Sequence, residues 1–263
     1  MDLGIKGKVA LVAASSKGLG RASAETMAQE GAKVTICARD AEALEATKNE
    51  IVSATGAEVL AVAADMTKAG DIENVVQKTV ERFGGLNILV CNAGGPPAGY
   101  FMDFDDAQWE AAFNLTMMST VRLIRAALPY MQKAQGGRII NITSMSVKQP
   151  LENLVLSNSI RAAVHGLAKT LADQIGPHGI TINNVMPGYT LTDRMNQLFF
   201  DSAAKSGKTV DEVMSALSKP VPMRRIGTPE DFGALVTFLA SEQAGYITGA
   251  SIPVDGGVIK AAF

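Results

Sequence analysis

A single α/β domain with a doubly wound, Rossmann-type parallel sheet of about seven strands and helices on both faces is the fold that the sequence predicts. Short β-branched runs alternate with helical patterns along the whole chain. The strand-like runs are apolar without polar alternation, as expected of strands covered on both faces. Glycines sit where the first such run turns into a helix. Strand–helix alternation implies parallel pairing through right-handed crossovers.

In order, "KVALVAA" (8–14) reads as the first strand and 18–30 as a helix. "AKVTICA" (32–38) is a second strand, followed by a helix at 41–55. "AEVLAVAAD" (57–65) is a third, with a helix over 71–83. "LNILVCNAGG" (86–95) is the fourth, and two helices follow between 106 and 135. "GRIINITS" (137–144) is the fifth, and a helix opens at "SNSIR" (157–161). "ITINNVMPG" (180–188), a helix at 229–241 and "ASIPVDGG" (250–257) complete the sheet. Ligands of such sheets bind beyond the carboxyl ends of the strands. Residues 14–20, 38–40, 65–66, 92–95, 143–145 and 187–192 are therefore the places to look for chemistry.

The chain has 263 residues, 47% hydrophobic and 19% charged, long enough for one large core. A net charge of -2 and the lack of a Lys/Arg run argue against nucleic acid as a partner. No apolar stretch reaches membrane-spanning length, and the N-terminus has no signal-peptide pattern, so a cytoplasmic protein without membrane contact is expected. Cys37 and Cys91 each lie in an apolar run and read as buried thiols rather than a disulfide. No His/Cys/Asp cluster has metal-ligand spacing, so no metal is expected. The lack of a Gly-x-Ser-x-Gly elbow argues against a serine hydrolase.

"AASSKGLG" (13–20) places glycines where a backbone can approach a pyrophosphate resting on a helix N-terminus. With this loop the chain begins to resemble the short-chain dehydrogenase/reductases, whose usual fingerprint is Thr-Gly-x-x-x-Gly-x-Gly. Gly18 and Gly20 match, Lys17 and Leu19 lie between and beside them, and Ala14 stands at the first glycine. A turn there with positive φ costs alanine about 1–2 kcal/mol. The expectation is an adjusted turn in which Ser15 and Ser16 offer hydroxyls to the phosphates.

The resemblance extends along nearly the whole chain. Asp65, with Met66 beside it, matches the acid next to the adenine. Asn92, Ala93 and Gly94 match the Asn-Ala-Gly loop. Asn114 matches the helix asparagine that holds a relay water, and Ser144 the catalytic serine. Pro187, Gly188, Thr190 and Thr192 match the turn that meets the carboxamide. The C-terminal half is similar to 3-oxoacyl-[acyl-carrier-protein] reductases. The resemblance implies a nicotinamide nucleotide, a small-molecule carbonyl or alcohol substrate, and a homo-oligomer, dimer or tetramer, paired through helices at 106–135 and 157–176.

Ala38 and Arg39 stand where NAD-selective sites keep a carboxylate. An arginine clamps a 2′-phosphate that a carboxylate repels, and Lys17 adds a second cation, so NADP(H) is favoured over NAD(H). Asp40, directly after Arg39, points the other way.

The family's Tyr-x-x-x-Lys pair is missing. Counting from Ser144 lands on Ser157 and, four residues on, Arg161, which share a helix face. Ser157 keeps a hydroxyl but is a far weaker acid than a phenol. Arg161 keeps the charge and can hold a ribose, but it gives up no proton near neutrality. Three readings stand: a carbonyl reductase or alcohol dehydrogenase in which a water on Asn114, or Tyr189, delivers the proton; an enolate-forming, aldol-type lyase using the same pocket; and a cofactor-binding sensor or partner protein. Tyr189 either joins catalysis or lines the pocket. Segment 193–220 looks like a substrate lid, whose Met195, Leu198, Phe199 and Phe200 either cover a substrate or fill core. His165 reads as a core or subunit-contact histidine, and His178 as a loop histidine.

Overall fold

The computed structural model describes residues 1–262, apart from the side chains of Arg194, Asp201 and Lys205. Seven parallel strands form one sheet in the order β3-β2-β1-β4-β5-β6-β7. They are β1 (Val9–Val12), β2 (Lys33–Ala38), β3 (Val59–Ala63), β4 (Ile88–Cys91), β5 (Gly137–Ile142), β6 (Ile180–Pro187) and β7 (Ser251–Val254). The helices are α1 (Gly18–Gln29), α2 (Ala41–Thr55), α3 (Ala69–Phe83), α4 (Asp106–Phe113), α5 (Ser119–Lys133), α6 (Val155–Ile175), α7 (Asp193–Ser206), α8 (Val210–Ser218) and α9 (Pro229–Leu239). All seven expected strands are present, and the predicted ends differ by a few residues where strands pass into loops.

The apolar runs are explained by burial on both faces. Val9, Leu11 and Ala13 of the first run point to a core shared with α3, α5 and α6. Ala10 and Val12, the intervening residues, point to a second core shared with α1, α2 and α9. Leu89 and Val90 of β4 divide in the same way. A period of two is hidden because both faces want apolar side chains.

The strand order turns at β1, which pairs with β2 on one side and β4 on the other. The crevice at the carboxyl ends of β1 and β4 is thus the topological switch point. Around it, α1 crosses α9 closely. A Cβ on Gly233 would lie 2.9 Å from the Ala22 carbonyl oxygen, and the Thr26 and Thr237 hydroxyls are 2.7 Å apart. Between α4 and α5, residues Asn114–Met118 form a π turn, a register break common at functional sites.

One expectation changes, one segment gains secondary structure and one expectation holds. Ala14 keeps φ at +48°, so the first turn is not adjusted: the backbone path wins over the preference of the side chain. Segment 193–220 is largely helical, as α7 and α8. Its capping box, in which Thr209 and Glu212 satisfy each other's backbone N–H groups, was readable as Thr-x-x-Glu. The cysteines are both buried and free, as expected; burial pushes the Cys37 thiol up to about 12 and raises Cys91 likewise.

Since Ala14 carries left-handed strain, Ala14→Gly should stabilise the protein by about 1 kcal/mol. Thermal unfolding would show this as a rise of about 2–4 °C in Tm. A lowered Tm would contradict the strain.

Candidate nucleotide-binding and catalytic site

The loop after β1 is held from three sides. Asn92 Nδ2 donates to the Ala14 carbonyl at 3.1 Å. Ser15 is fully buried; its hydroxyl donates to the Val12 carbonyl at 2.7 Å and accepts from the Cys37 amide at 3.1 Å. This hydroxyl therefore ties β1 to β2 and is not offered to a phosphate, a correction to the sequence reading. Ser16 is half-buried, and its carbonyl accepts from Thr47 Oγ1 at 2.8 Å. Leu19 packs into the core beneath α1.

Glycine is required at two points here. Gly18 has φ +58°, and a Cβ on it would touch Thr192 Cγ2 at 3.5 Å. The β1 loop and the β6 loop thus face each other across the crevice. A Cβ on Gly20 would lie 2.4 Å from the Ala14 oxygen and 2.8 Å from Asn92 Nδ2, so α1 can start this close to the strands only without a side chain. Lys17 is the exposed N-cap of α1 and caps no amide with its side chain, so the first-turn N–H groups remain available to an anion.

On the β2–β3 side, Arg39 is exposed beyond Ala38. Asp40 accepts from the Ala43 amide at 3.1 Å as the N-cap of α2, so its carboxylate serves the helix. Asp65 Oδ1 accepts from the Thr67 amide and hydroxyl at 2.9 and 2.8 Å. The Thr67 amide bond foremost, and the Arg39 charge to a smaller degree, hold its carboxyl below the usual carboxylate range. Met66 is buried with its side chain in the core, leaving only backbone for a ligand. Ala93 is half-buried, and Gly94 is exposed with open space where a Cβ would sit.

The β5–β6 side carries the candidate chemistry. Ser144 follows β5, and its Oγ accepts from the Ser146 amide at 3.1 Å. That bond uses a lone pair and leaves the O–H proton available to a ligand. Ser157 and Arg161 are buried on α6, at 7% and 9% exposure. No hydrogen bond of the Ser157 hydroxyl is found among the described residues. Arg161 Nη1 donates to the Ile142 and Thr143 carbonyls at 3.1 and 3.0 Å, so part of the guanidinium serves as a clamp on the end of β5.

Asn114 is engaged by protein at both ends of its amide. Nδ2 donates to the Thr67 carbonyl at 3.1 Å, and Oδ1 accepts from Arg122 Nη1 at 2.7 Å. Arg122 was not among the sequence candidates; it shares the Thr67 carbonyl at 3.1 Å and fixes Asn114 across the π turn. Its signal was a charge in the first turn of α5, after the uncharged stretch 111–121.

In the β6 loop, Pro187 pairs with Val254, and a Cβ on Gly188 would lie 2.6 Å from Asp255 Cα. Thr190 is buried beside Gly227, and Thr192 caps α7 by accepting from the Met195 amide at 3.3 Å. Tyr189 packs with Met145, Leu151 and Val221, next to Ser144. Phe199 is 1% exposed in a cluster internal to the lid, with Met195 packed against it, whereas Leu198 and Phe200 are exposed. The two readings of these four residues therefore divide: Phe199 fills core, and Leu198 and Phe200 do not.

Known proteins share this layout. Residues 13–259 match the family model described as enoyl-(acyl carrier protein) reductase. Dehydrogenase/reductase SDR family member 4 of Sus scrofa is 34% identical over 254 residues, which are 96% of this chain and 88% of that protein. The chain belongs to the short-chain dehydrogenase/reductase family. D-beta-hydroxybutyrate dehydrogenase of Rhizobium meliloti (strain 1021) is 33% identical, covering 95% of this chain and 98% of its own. The crystal structure of L-sorbose reductase from Gluconobacter frateurii, complexed with NADPH and L-sorbose, superposes with a TM-score of 0.96 at 34% identity, covering 99% of this chain and all of that one. As a short-chain dehydrogenase/reductase, the protein is an oxidoreductase of a nicotinamide-binding family. No described helix is long and apolar enough to cross a membrane, and no group of metal-ligating side chains occurs among the described residues.

Gly20→Ala should weaken nucleotide binding by about 5–150-fold, because the added methyl pushes the Ala14–Asn92 junction apart. Overpacking of this kind costs about 1–3 kcal/mol. Titration of NADPH fluorescence, with Tm in parallel, would check it; unchanged affinity would remove the loop from the site.

Proposed function

We propose that the protein is an NADP(H)-dependent oxidoreductase acting on the carbonyl/alcohol pair of a small molecule, with Ser144, Ser157 and Arg161 as its polar set. The observation that carries this reading is Ser157: a side chain 7% exposed whose hydroxyl makes no hydrogen bond among the described residues, one helical turn before a buried guanidinium, in a chain whose nucleotide crevice is otherwise complete. A hydroxyl that no protein group engages is available to donate to a substrate oxygen.

The crevice suits a dinucleotide. The open N-terminus of α1 and the backbone at Lys17, Gly18 and Leu19 would take the pyrophosphate, with Ser16 beside them. Asp65 and the Met66 backbone would meet the adenine. Asn92, Ala93 and Gly94 would border the ribose. Pro187, Gly188, Thr190 and Thr192 would border the carboxamide. When bound, the nicotinamide supplies or takes the hydride. Arg39 carries the choice of nucleotide, since Asp40 is turned to its helix; L-sorbose reductase, crystallised with NADPH, supports the same reading.

Ser144 donates to the substrate oxygen while Ser146 holds its lone pair, and Ser157 donates from the other side. Arg161 sets positive charge at the same end of β5. Neither serine is a strong acid, so the final proton comes through water or Tyr189. Absence of a positioned general acid lowers rate by about 10²–10⁴. Stabilising an oxyanion without protonating it is also what an enolate-forming lyase needs, and a Ser157 hydroxyl engaged by none of the described residues favours that as the second reading. We place the protein in the cytoplasm as a dimer or tetramer, an arrangement that would cover the exposed Phe101, Met102 and Phe113 near α4.

Arg39→Ala should weaken NADPH binding by about 10–100-fold, the worth of a charge-assisted bond to phosphate, and leave NADH within about twofold. Fluorescence titration of both nucleotides checks it, and equal affinity of the wild type for the two would overturn the NADP(H) preference. Ser157→Tyr combined with Arg161→Lys should raise ketone reduction by about tenfold or more, the worth of restoring a general acid. NADPH consumption against a panel of ketones and ketoses measures this. Retained NADPH binding with no gain would favour the enolate reading.

A further inference from the structure

His165 lies one turn beyond Arg161 on α6, so Ser157, Arg161 and His165 form one stripe. Its ring is gripped at both nitrogens. Nε2 is 3.1 Å from Thr143 Oγ1, and Nδ1 is 2.9 Å from Ser251 Oγ on β7. Beyond Ser251 the bonds continue across the sheet. Asn184 Nδ2 donates to Ser251 Oγ at 3.1 Å, and Asn141 Nδ2 donates to Asn184 Oδ1 at 3.0 Å. At the other end, the Thr143 hydroxyl is 3.3 Å from the Val185 carbonyl.

With the Asn141 and Asn184 amides oriented as above, one assignment of protons uses every one of these bonds. Asn184 donates to Ser251, and the Ser251 proton goes to His165 Nδ1. Nδ1 is then an acceptor, and a neutral ring carries its proton on Nε2, which donates to Thr143 Oγ1. The Thr143 proton goes to Val185. Each donor is used once and all point the same way. A doubly protonated ring would present two donors, leaving the Ser251 proton without its acceptor.

We propose that His165, as the neutral Nε2–H tautomer, is the positioning residue of the catalytic loop. It fixes Thr143, whose carbonyl is one of the two that Arg161 grips and whose successor is Ser144. The same ring pins that loop to β7. The functional part of this inference rests on Ser144 and Arg161 being site residues; the tautomer does not.

Among charged groups, Lys148 from the turn after Ser144 acts on the ring, and Arg161 and Lys169 flank it one turn away on α6. β5, β6 and β7 bring the uncharged Thr143, Asn184 and Ser251. Burial foremost, then the Lys148 charge, lowers the imidazole from 6.5 to about 4. The folded state therefore favours the neutral ring. Its stabilising contribution is complete above 6.5 and is lost as pH falls from 6.5 through about 4.

The chain has two histidines, so ¹⁵N-histidine labelling gives a two-residue spectrum, assigned with His178→Gln. His165 should show the neutral Nε2–H pattern down to about pH 5 and protonate only near 4. An Nδ1–H pattern, or titration near 6.5, overturns the assignment. Ser251→Ala, which removes the donor to Nδ1, should move that titration upward, and no movement also counts against it. For positioning, His165→Phe should weaken NADPH by about tenfold and His165→Gln should restore it to within about twofold. A purely structural role would lower Tm in His165→Phe and leave the Kd of the folded protein unchanged, which overturns positioning. If His165→Phe does not fold, the Ser251→Ala titration and the His165→Gln Kd decide, since Gln must then bind like the wild type. Failure of the wild type to bind NADPH sinks the cofactor reading instead, with the tautomer still measurable.

Discussion

A parallel sheet buried on both faces leaves only strand ends for a ligand, and that constraint organises this molecule. With α1, α2 and α9 on one face and α3, α5 and α6 on the other, no side chain in the middle of β1, β2 or β4 is exposed. The chain's chemistry is therefore collected at the carboxyl ends, where backbone groups leave the ladder. There each loop must satisfy its own polar groups without closing the crevice. Asn92 does so for Ala14, Asp65 for Thr67, and Arg161 for Ile142 and Thr143. The cleft stays open because Gly18, Gly20 and Gly94 add no side chain.

This division of labour decides what the sequence could show. Strands such as β1, with its run VALV, were legible because two-sided burial demands uninterrupted apolar residues. Helices with strong stripes were legible for the same reason. α7 and α8 were obscured because they shield a small cluster of their own, so their periodicity is weak against a mixed background; the Thr209 capping box was the better signal. Site residues were legible as positions, less so as roles. Ser15 stands where a phosphate ligand was expected, yet its hydroxyl is needed where β1 and β2 diverge. Nothing in a linear pattern distinguishes a serine that faces a ligand from one that closes a sheet. Arg122 and His165 act through partners far away in sequence, which no local spacing reveals.

On α6 a buried guanidinium serves the scaffold. Arg161 does not stand as a free charge in the pocket: it grips the end of β5, a task a lysine with a single ammonium performs less well than a planar fork.

The apolar cluster of α7 and α8 has a consequence for how they are held. Phe199, Ala203 and Val213 pack with Met195, Leu191 and Leu217, all within residues 191–217. Packed this way, the two helices draw their apolar contacts from their own segment and not from the two cores that flank the sheet. Thr192, which starts α7, stands opposite Gly18, where a side chain would meet its methyl: an added Cβ would lie 3.5 Å from Cγ2. Glycine at that point keeps a gap between the two loops that any other residue would fill.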